Sequence, residues 1–237
     1  MDNNFDVLSD GLALLCSSDS GMENIIAPRR EEILSLLAGY IAEIERYNPA
    51  LSIVGTNDRR ELIIRHILDS LAPLGIISRL LAKDTAAQMA GNPAYRVADV
   101  GSGAGLPGIP LAIVLPRAKF TLIERSGRRA TFLRNTRTVL GIGNVTVEEG
   151  EMEKVKPGRF SLVTFRAFRP LEPKIYKKLH RLCAEDGVLA AYKGRLEKIH
   201  AEMAALEGAL PNLTGSWELL PCPVPFLNEQ RHLVVVH

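Results

Sequence analysis

The stretch Asp99-Val100-Gly101-Ser102-Gly103-Ala104-Gly105-Leu106-Pro107-Gly108 constrains this chain more than any other. It follows a short apolar run and leads into an apolar helical pattern. Glycines at alternate positions let a backbone turn sharply and approach a ligand where any Cβ would clash. Gly101, Gly103 and Gly105 are therefore candidate ligand contacts, on a loop between a first strand and the helix after it.

The residues from Tyr95 onward fit that placement. Strands are expected at 97–100, 120–123, 145–147, 160–165 and 188–192, with helices at 109–115, 127–140, 172–183 and 195–210 between them. This alternation predicts a parallel sheet covered on both faces. Two further strands, at 217–220 and 233–236, have no helix between them and should pair as an antiparallel hairpin at the sheet edge. Glu124 ends the second strand, where its carboxylate could accept hydrogen bonds from a ribose diol. A nucleoside cofactor suits such a site.

The loop also satisfies the G-x-G-x-x-G dinucleotide pattern from Gly103 to Gly108, with an acid about 20 residues on. Two features favour a methyl donor over a dinucleotide. The strand enters Gly101 through Asp99, so a tight turn precedes Gly103. Pro107 and Pro110 crowd the helix start whose N–H groups a pyrophosphate would need. A nicotinamide-dependent oxidoreductase stays open at this level.

Upstream, residues 28–47 carry Ile33, Leu37, Tyr40, Ile41, Ile44 and Tyr47 at helical spacing, and Asn48-Pro49 is expected to end that helix. A second helix should run from 57 or 58 to 71, with Asp58 as N-cap and Glu61 three residues on. Residues 82–95 contain Gly91-Asn92-Pro93, a linker signal. The reading is of a leader at 1–24 (polar, ordered only partly), a helical cap at 25–92, and a cofactor-binding domain at 93–237. The acidic N-terminus does not suit a secretory signal. No apolar stretch approaches the roughly 20 residues of a membrane helix. Cys16, Cys183 and Cys222 are odd in number and far apart, so neither a disulfide framework nor a metal site is expected, and reduced thiols in a cytoplasmic protein are.

Net charge is +2, but residues 117–181 hold 16 Lys and Arg against 6 Asp and Glu, whereas the rest holds 13 against 21. So lopsided a segment beside a cofactor motif points to a polyanionic partner. Arg128 and Arg129, with Arg134 and Arg137, leave the second strand toward the same rim and are candidate phosphate contacts.

The chain resembles the glucose-inhibited division protein B family, the bacterial guanine-N7 methyltransferases of small-subunit ribosomal RNA. The resemblance runs from about Ile33 to His237. It rests on Arg65-His66-Ile67-Leu68-Asp69-Ser70, the loop from Asp99 to Pro110, Thr121 through Arg129 with Phe132-Leu133, Arg166-Ala167, Tyr192-Lys193-Gly194, and Glu229 through Val235. It implies a class I methyltransferase fold, α/β, with a Rossmann-like doubly wound sheet, a C-terminal antiparallel hairpin and a small N-terminal helical cap. It implies S-adenosylmethionine as cofactor and small-subunit ribosomal RNA, or an assembling subunit, as partner. Gly101 and Leu106 would contact the donor, Met152-Glu153 would lie against its adenine, and Arg166 would reach into the site. Lys193 and Arg231 join Arg128 and Arg129 as RNA contacts. Neither metal nor membrane is implied, and a monomer is expected. Two departures are Ala50-Leu51-Ser52, where the family commonly reads Asn-Leu-Ser or Asn-Leu-Thr, and Glu151, where it often places arginine.

Guanine N7 carries a lone pair and no proton, so its methylation needs no general base. Positioning supplies the acceleration, and Arg166 is the residue expected to provide it. After the fourth strand stands Phe165-Arg166-Ala167-Phe168 instead of the Asn/Asp-Pro-Pro-Tyr/Phe motif of amino methyltransferases. His66, Asp69 and Ser70 share one side of a helix and so cannot form a hydrolytic relay. Hydrogen bonding between cap and sheet is expected of them instead, and His232 is expected to be a strand-end residue. A methyltransferase for another RNA, a small molecule or a protein, and a non-catalytic RNA-binding module, are the other readings.

Overall fold

The computed structural model describes residues 3–82, 95–167 and 170–237. The linker expected around Gly91-Asn92-Pro93, and Phe168, lie outside them.

A 7-stranded sheet runs in the order β3-β2-β1-β4-β5-β7-β6. The strands are β1 (Arg96–Val100), β2 (Lys119–Glu124), β3 (Val145–Glu149), β4 (Phe160–Arg166), β5 (Cys183–Lys193), β6 (Trp217–Pro221) and β7 (His232–Val236). β1 to β5 are parallel, while β7 lies antiparallel between β5 and β6. This is the class I methyltransferase sheet. The chain moves outward from β1 to β3, then returns to the other side of β1 as β4. The reversal opens a crevice at the carboxyl ends of β1 and β4, where ligands of open α/β sheets sit.

Both faces of the sheet are buried, so its strands read as nearly continuous apolar runs. In β7, Leu233 and Val235 enter one core while Val234 and Val236 enter the other, as a period of two requires. The first core is shared with the N-terminal helices α1 (Asn3–Ser18), α2 (Ser20–Ile26), α3 (Arg30–Leu51), α4 (59–71) and α5 (Leu74–Ala82), and with α6 (Gly108–Val114) and α7 (Gly127–Val139). The second core is covered by α8 (Pro173–His180) and α9 (Leu196–Ala209).

The N-terminal stretch read as a polar leader is helical and packed. Val7, Leu8, Leu12, Leu15 and Cys16 are buried at helical spacing, and Met22 and Ile26 follow on α2. Counting polar residues hid a narrow apolar stripe that finds its partner only in the folded chain. Asp19 caps α2, accepting from the Gly21 N–H at 2.8 Å, and pairs with Arg79 of α5.

Helix α3 buries Ile33, Leu37, Tyr40, Ile41 and Ile44 as expected, but it continues through Pro49 to Leu51. Its last turn closes by the Ser52 N–H donating to the Asn48 carbonyl, and Ser52 ends it in the left-handed region. Asp58 caps α4 by accepting from the Glu61 N–H at 2.6 Å. Between Ile63 and Leu68 this helix widens into a π-helical turn, a form frequent at functional sites. α8 stops at His180 because Cys183 pairs with Phe160 in the sheet, so β5 begins earlier than its apolar run suggests.

All three cysteines are buried and unpaired. Desolvation pushes their thiols up to about 11 for Cys16 and about 12 for Cys183 and Cys222, which makes them unreactive. No helix among the described residues is long and apolar enough to cross a membrane.

Candidate active site

The glycine loop is held from both sides. Tyr40 of α3, fully buried, donates its hydroxyl to the Ala104 carbonyl at 2.7 Å, so the helical layer fixes the loop's outer turn. From within, Glu124 accepts from the Gly103 N–H and the Ser126 N–H, each at 2.8 Å. Each carboxylate oxygen takes one of those bonds and keeps lone pairs for another donor. Asp99 accepts from the Gly108 N–H at 3.1 Å, and its other oxygen is buried without a partner. Burial, with few compensating bonds, raises the Asp99 carboxyl to about 7.

The loop glycines divide by role. At Gly103, φ is 58° and an added Cβ would meet only the Gly101 carbonyl at 3.8 Å, so the space ahead of it is open. At Gly105, with φ 91°, a Cβ would strike Ile109 and Leu133, at 2.6 and 2.9 Å. Gly105 is needed for close packing of the loop on its helix.

A cavity of about 490 Å³ opens beside this loop. Its lining includes Gly101, Glu124, Met152 and Glu153, which the sequence reading brought to one site, and Arg129. Met152 is buried on a single 3₁₀ turn after β3. Glu153 pairs with Lys178 of α8, which holds its carboxyl below the usual range. Gly103, Gly105 and Leu106 are not among the lining residues; Leu106 is turned into the core instead. Val100, Ile123, Arg125, Gly150, Glu151, Ala167, Ile175 and Lys178 complete the walls. Gly150, just past a strand end, was legible as a loop glycine. Ile175 and Lys178 arrive from α8, and nothing local in the sequence signals that.

Arg166 lies elsewhere. It ends β4, yet its guanidinium turns toward α4: Nη1 donates to Asp69 at 2.8 Å and to the Arg65 carbonyl at 3.2 Å, and Nη2 to His66 Nδ1 at 3.2 Å. It does not line the cavity at Glu124 and makes no pair with Glu151 or Glu153. It lines a second cavity of about 470 Å³, with His66, Asp69, Tyr192, Lys193, Arg231 and His232. The other oxygen of Asp69 faces Arg231 Nε at 3.2 Å, so one carboxylate clamps two arginines. Tyr192 donates to the Ser70 carbonyl at 2.8 Å, and Ser70 to the His66 carbonyl at 2.6 Å. His66, Asp69 and Ser70 do join cap to sheet.

The two histidines have fixed tautomers. A guanidinium has no acceptor, so His66 Nδ1 accepts from Arg166 and the ring proton resides on Nε2. Burial, then the charge of Arg166, lowers His66 to about 4 and keeps it neutral. His232 contacts the Gly194 carbonyl through Nδ1 at 2.6 Å; a carbonyl only accepts, so Nδ1 carries the proton. With that proton on Nδ1, the uncharged form of the ring presents an acceptor at Nε2.

The two cavities meet at Ala167, which lines both. Its φ of 48° is rare for alanine and turns the chain away from the end of β4. Of the residues expected at RNA, Arg128 and Arg129 are exposed on α7. Lys193 is paired with Glu202, while Arg231 shares the Asp69 carboxylate with Arg166, and both side chains sit in the second cavity's wall.

The family model for GidB, rRNA small subunit methyltransferase G, matches residues 33–214. A ribosomal RNA small subunit methyltransferase G of Treponema denticola is 32% identical over 98% of this chain and 95% of its own. The proteins of that name from Treponema pallidum and Halorhodospira halophila are 35% and 38% identical, over 86% and 85% of this chain and 85% and 88% of theirs. Because the match runs through the helical layer as well as the sheet, and so through both cavities, the chain is a member of the GidB family of ribosomal RNA small subunit methyltransferases.

Proposed function

We propose that this protein transfers a methyl group from S-adenosylmethionine to N7 of a guanine in small-subunit ribosomal RNA, acting as a cytoplasmic monomer. The observation that carries this reading is the pair of cavities meeting at Ala167, one fitted to a nucleoside donor and the other to a base.

The residues present fit the donor. Glu124 has lone pairs for a ribose diol, Gly101 lines the cavity, Gly103 leaves open space beside it, and Met152 offers an apolar surface to an adenine. S-adenosylmethionine, bound there, supplies a methyl group activated on a sulfonium. The protein's task is then to hold the acceptor in line, and good positioning can be worth about 7–11 kcal/mol.

The second cavity fits guanine better than adenine. His66 Nε2–H and the Arg166 N–H groups not spent on Asp69, Arg65 and His66 are donors suited to O6, which neighbours N7. His232 Nε2 is an acceptor suited to N1–H or the exocyclic amine. Adenine inverts that pattern. No group in the cavity has to remove a proton, in keeping with a nucleophile that carries none.

The test is methyl transfer to small-subunit RNA isolated from cells lacking the protein, with mass mapping of the product. One N7-methylguanine is expected. Methylation at another atom or of another RNA, or tight nicotinamide binding in place of S-adenosylhomocysteine, would refute the reading.

A further inference from the structure

The second cavity continues past Arg65. Glu61 and Arg65 also line a hollow of about 380 Å³ whose lining includes Arg60 and, from the loop before β7, Phe226. Phe226 is 47% exposed. The turn that presents it is closed by the Leu227 N–H donating to the Val224 carbonyl at 3.1 Å, with Pro225 and Phe226 at its centre. The φ of Phe226 is 64°. The third position of a proline-led turn with positive φ selects glycine or asparagine, and a bulky aromatic is an outlier there.

The fold has no need of the ring. Val224 is buried and Leu227 packs against the core, so the turn is anchored on both sides while Phe226 projects. A half-exposed apolar ring on a strained backbone gains little in folding, and such strain persists mainly where function uses it. The Arg60 guanidinium lies 5.8 Å from the ring centroid, over the aromatic face. Aromatic faces and guanidinium planes are what unstacked nucleobases lie on.

We infer that Phe226, backed by Arg60, is a stacking platform for a nucleobase flanking the target guanine. This rests on the proposed ribosomal RNA substrate. Every base has a π-face, so the platform selects an unpaired strand at the target and not its sequence.

The test compares Phe226→Gly, Phe226→Tyr and Phe226→Leu with the wild type on protein-free small-subunit RNA and on assembled small subunits. Both KM for methyl transfer and direct RNA affinity are measured, so the result stands whether or not the wild type methylates that RNA. Phe226→Gly should weaken RNA binding and raise KM by roughly ten- to a hundredfold. Its kcat and S-adenosylhomocysteine affinity should be unchanged and its melting temperature equal or higher, because glycine suits the turn. Phe226→Tyr should stay close to wild type, and Phe226→Leu should behave like Phe226→Gly. Unchanged affinity in Phe226→Gly, full activity in Phe226→Leu, or a defect that follows a fall in melting temperature would overturn the platform. So would a defect confined to assembled particles, which would make the partner a protein.

Discussion

The Asp69 carboxylate holds the Arg166 guanidinium at 2.8 Å across the join between helical layer and sheet. Both side chains are largely buried, and the pair connects α4, just past its π-helical turn, to the last residue of β4. A base entering the second cavity therefore meets an arginine whose direction is set by the cap. Arg166→Lys keeps the charge and loses the fork that reaches Asp69 and His66 together. Methyl transfer should fall about tenfold or more, on the order of 1.4 kcal/mol, in single-turnover measurements with both substrates saturating. Wild-type turnover in Arg166→Lys and Arg166→Ala alike would remove Arg166 from the positioning role.

Asp69→Asn tests the clamp itself. Loss of a buried partner leaves two arginine charges uncompensated, and the cost should approach about 3 kcal/mol by urea denaturation. The solvent in the cavity keeps it at the low end of that range. Turnover should fall further than stability alone explains, because Arg166 and Arg231 both lose their anchor. An unchanged urea midpoint would show that the pair is worth no more than a surface salt bridge.

Glu124→Ala should weaken S-adenosylhomocysteine binding by about 1–3 kcal/mol in calorimetry, the cost of removing a charged acceptor and leaving polar partners unmet. The Gly103 and Ser126 N–H groups also lose their acceptor, so a modest fall in melting temperature should accompany the lost affinity. Normal affinity would place the ribose elsewhere.

Gly103→Ala and Gly105→Ala should separate binding from folding. Each puts a side chain on a positive φ, at roughly 1–2 kcal/mol. At Gly103 the new methyl enters open space, so donor affinity should be lost with little further destabilisation. At Gly105 it strikes Ile109 and Leu133, so stability should fall by more. Equal urea midpoints for the two variants would contradict this division.

Asp99→Asn should change the pH dependence of stability. The Asp99 carboxyl stands at about 7 in the fold against 3.8 when free. Its contribution is fully present below 3.8 and is lost as pH rises through about 7, since the unfolded chain ionises first. Asparagine cannot ionise and can still accept from the Gly108 N–H. The stability of Asp99→Asn relative to wild type should therefore grow between about pH 4 and 7 and level off above, by at most roughly 4 kcal/mol. A difference that stays constant across that window would mean Asp99 is ionised throughout.

Sequence alone determined the local grammar of this protein. The alternation of strands and helices after Tyr95, the glycine loop and the acid ending β2 follow from spacing and glycine placement. So do the apolar stripe of α3 and the Asp58 cap of α4, because those signals reside within one element and its neighbours. The place of Glu124 at the same site as the loop was legible for the same reason, whereas its hydrogen bond from the Gly103 N–H appears only in the fold. What crosses between distant elements was decided by tertiary structure. The apolar stripe of α1 is too narrow to outweigh its polar residues until α4 covers it, so the leader was misread. Arg166 sits at the expected strand end, but whether it turns to the donor or to the cap depends on Asp69, 97 residues away. The tautomers of His66 and His232 depend on a guanidinium and a carbonyl brought from β4 and from the end of β5. The left-handed turns at Ala167 and Phe226 have no residue-type signature, since neither alanine nor phenylalanine prefers that conformation; only the surrounding contacts impose it.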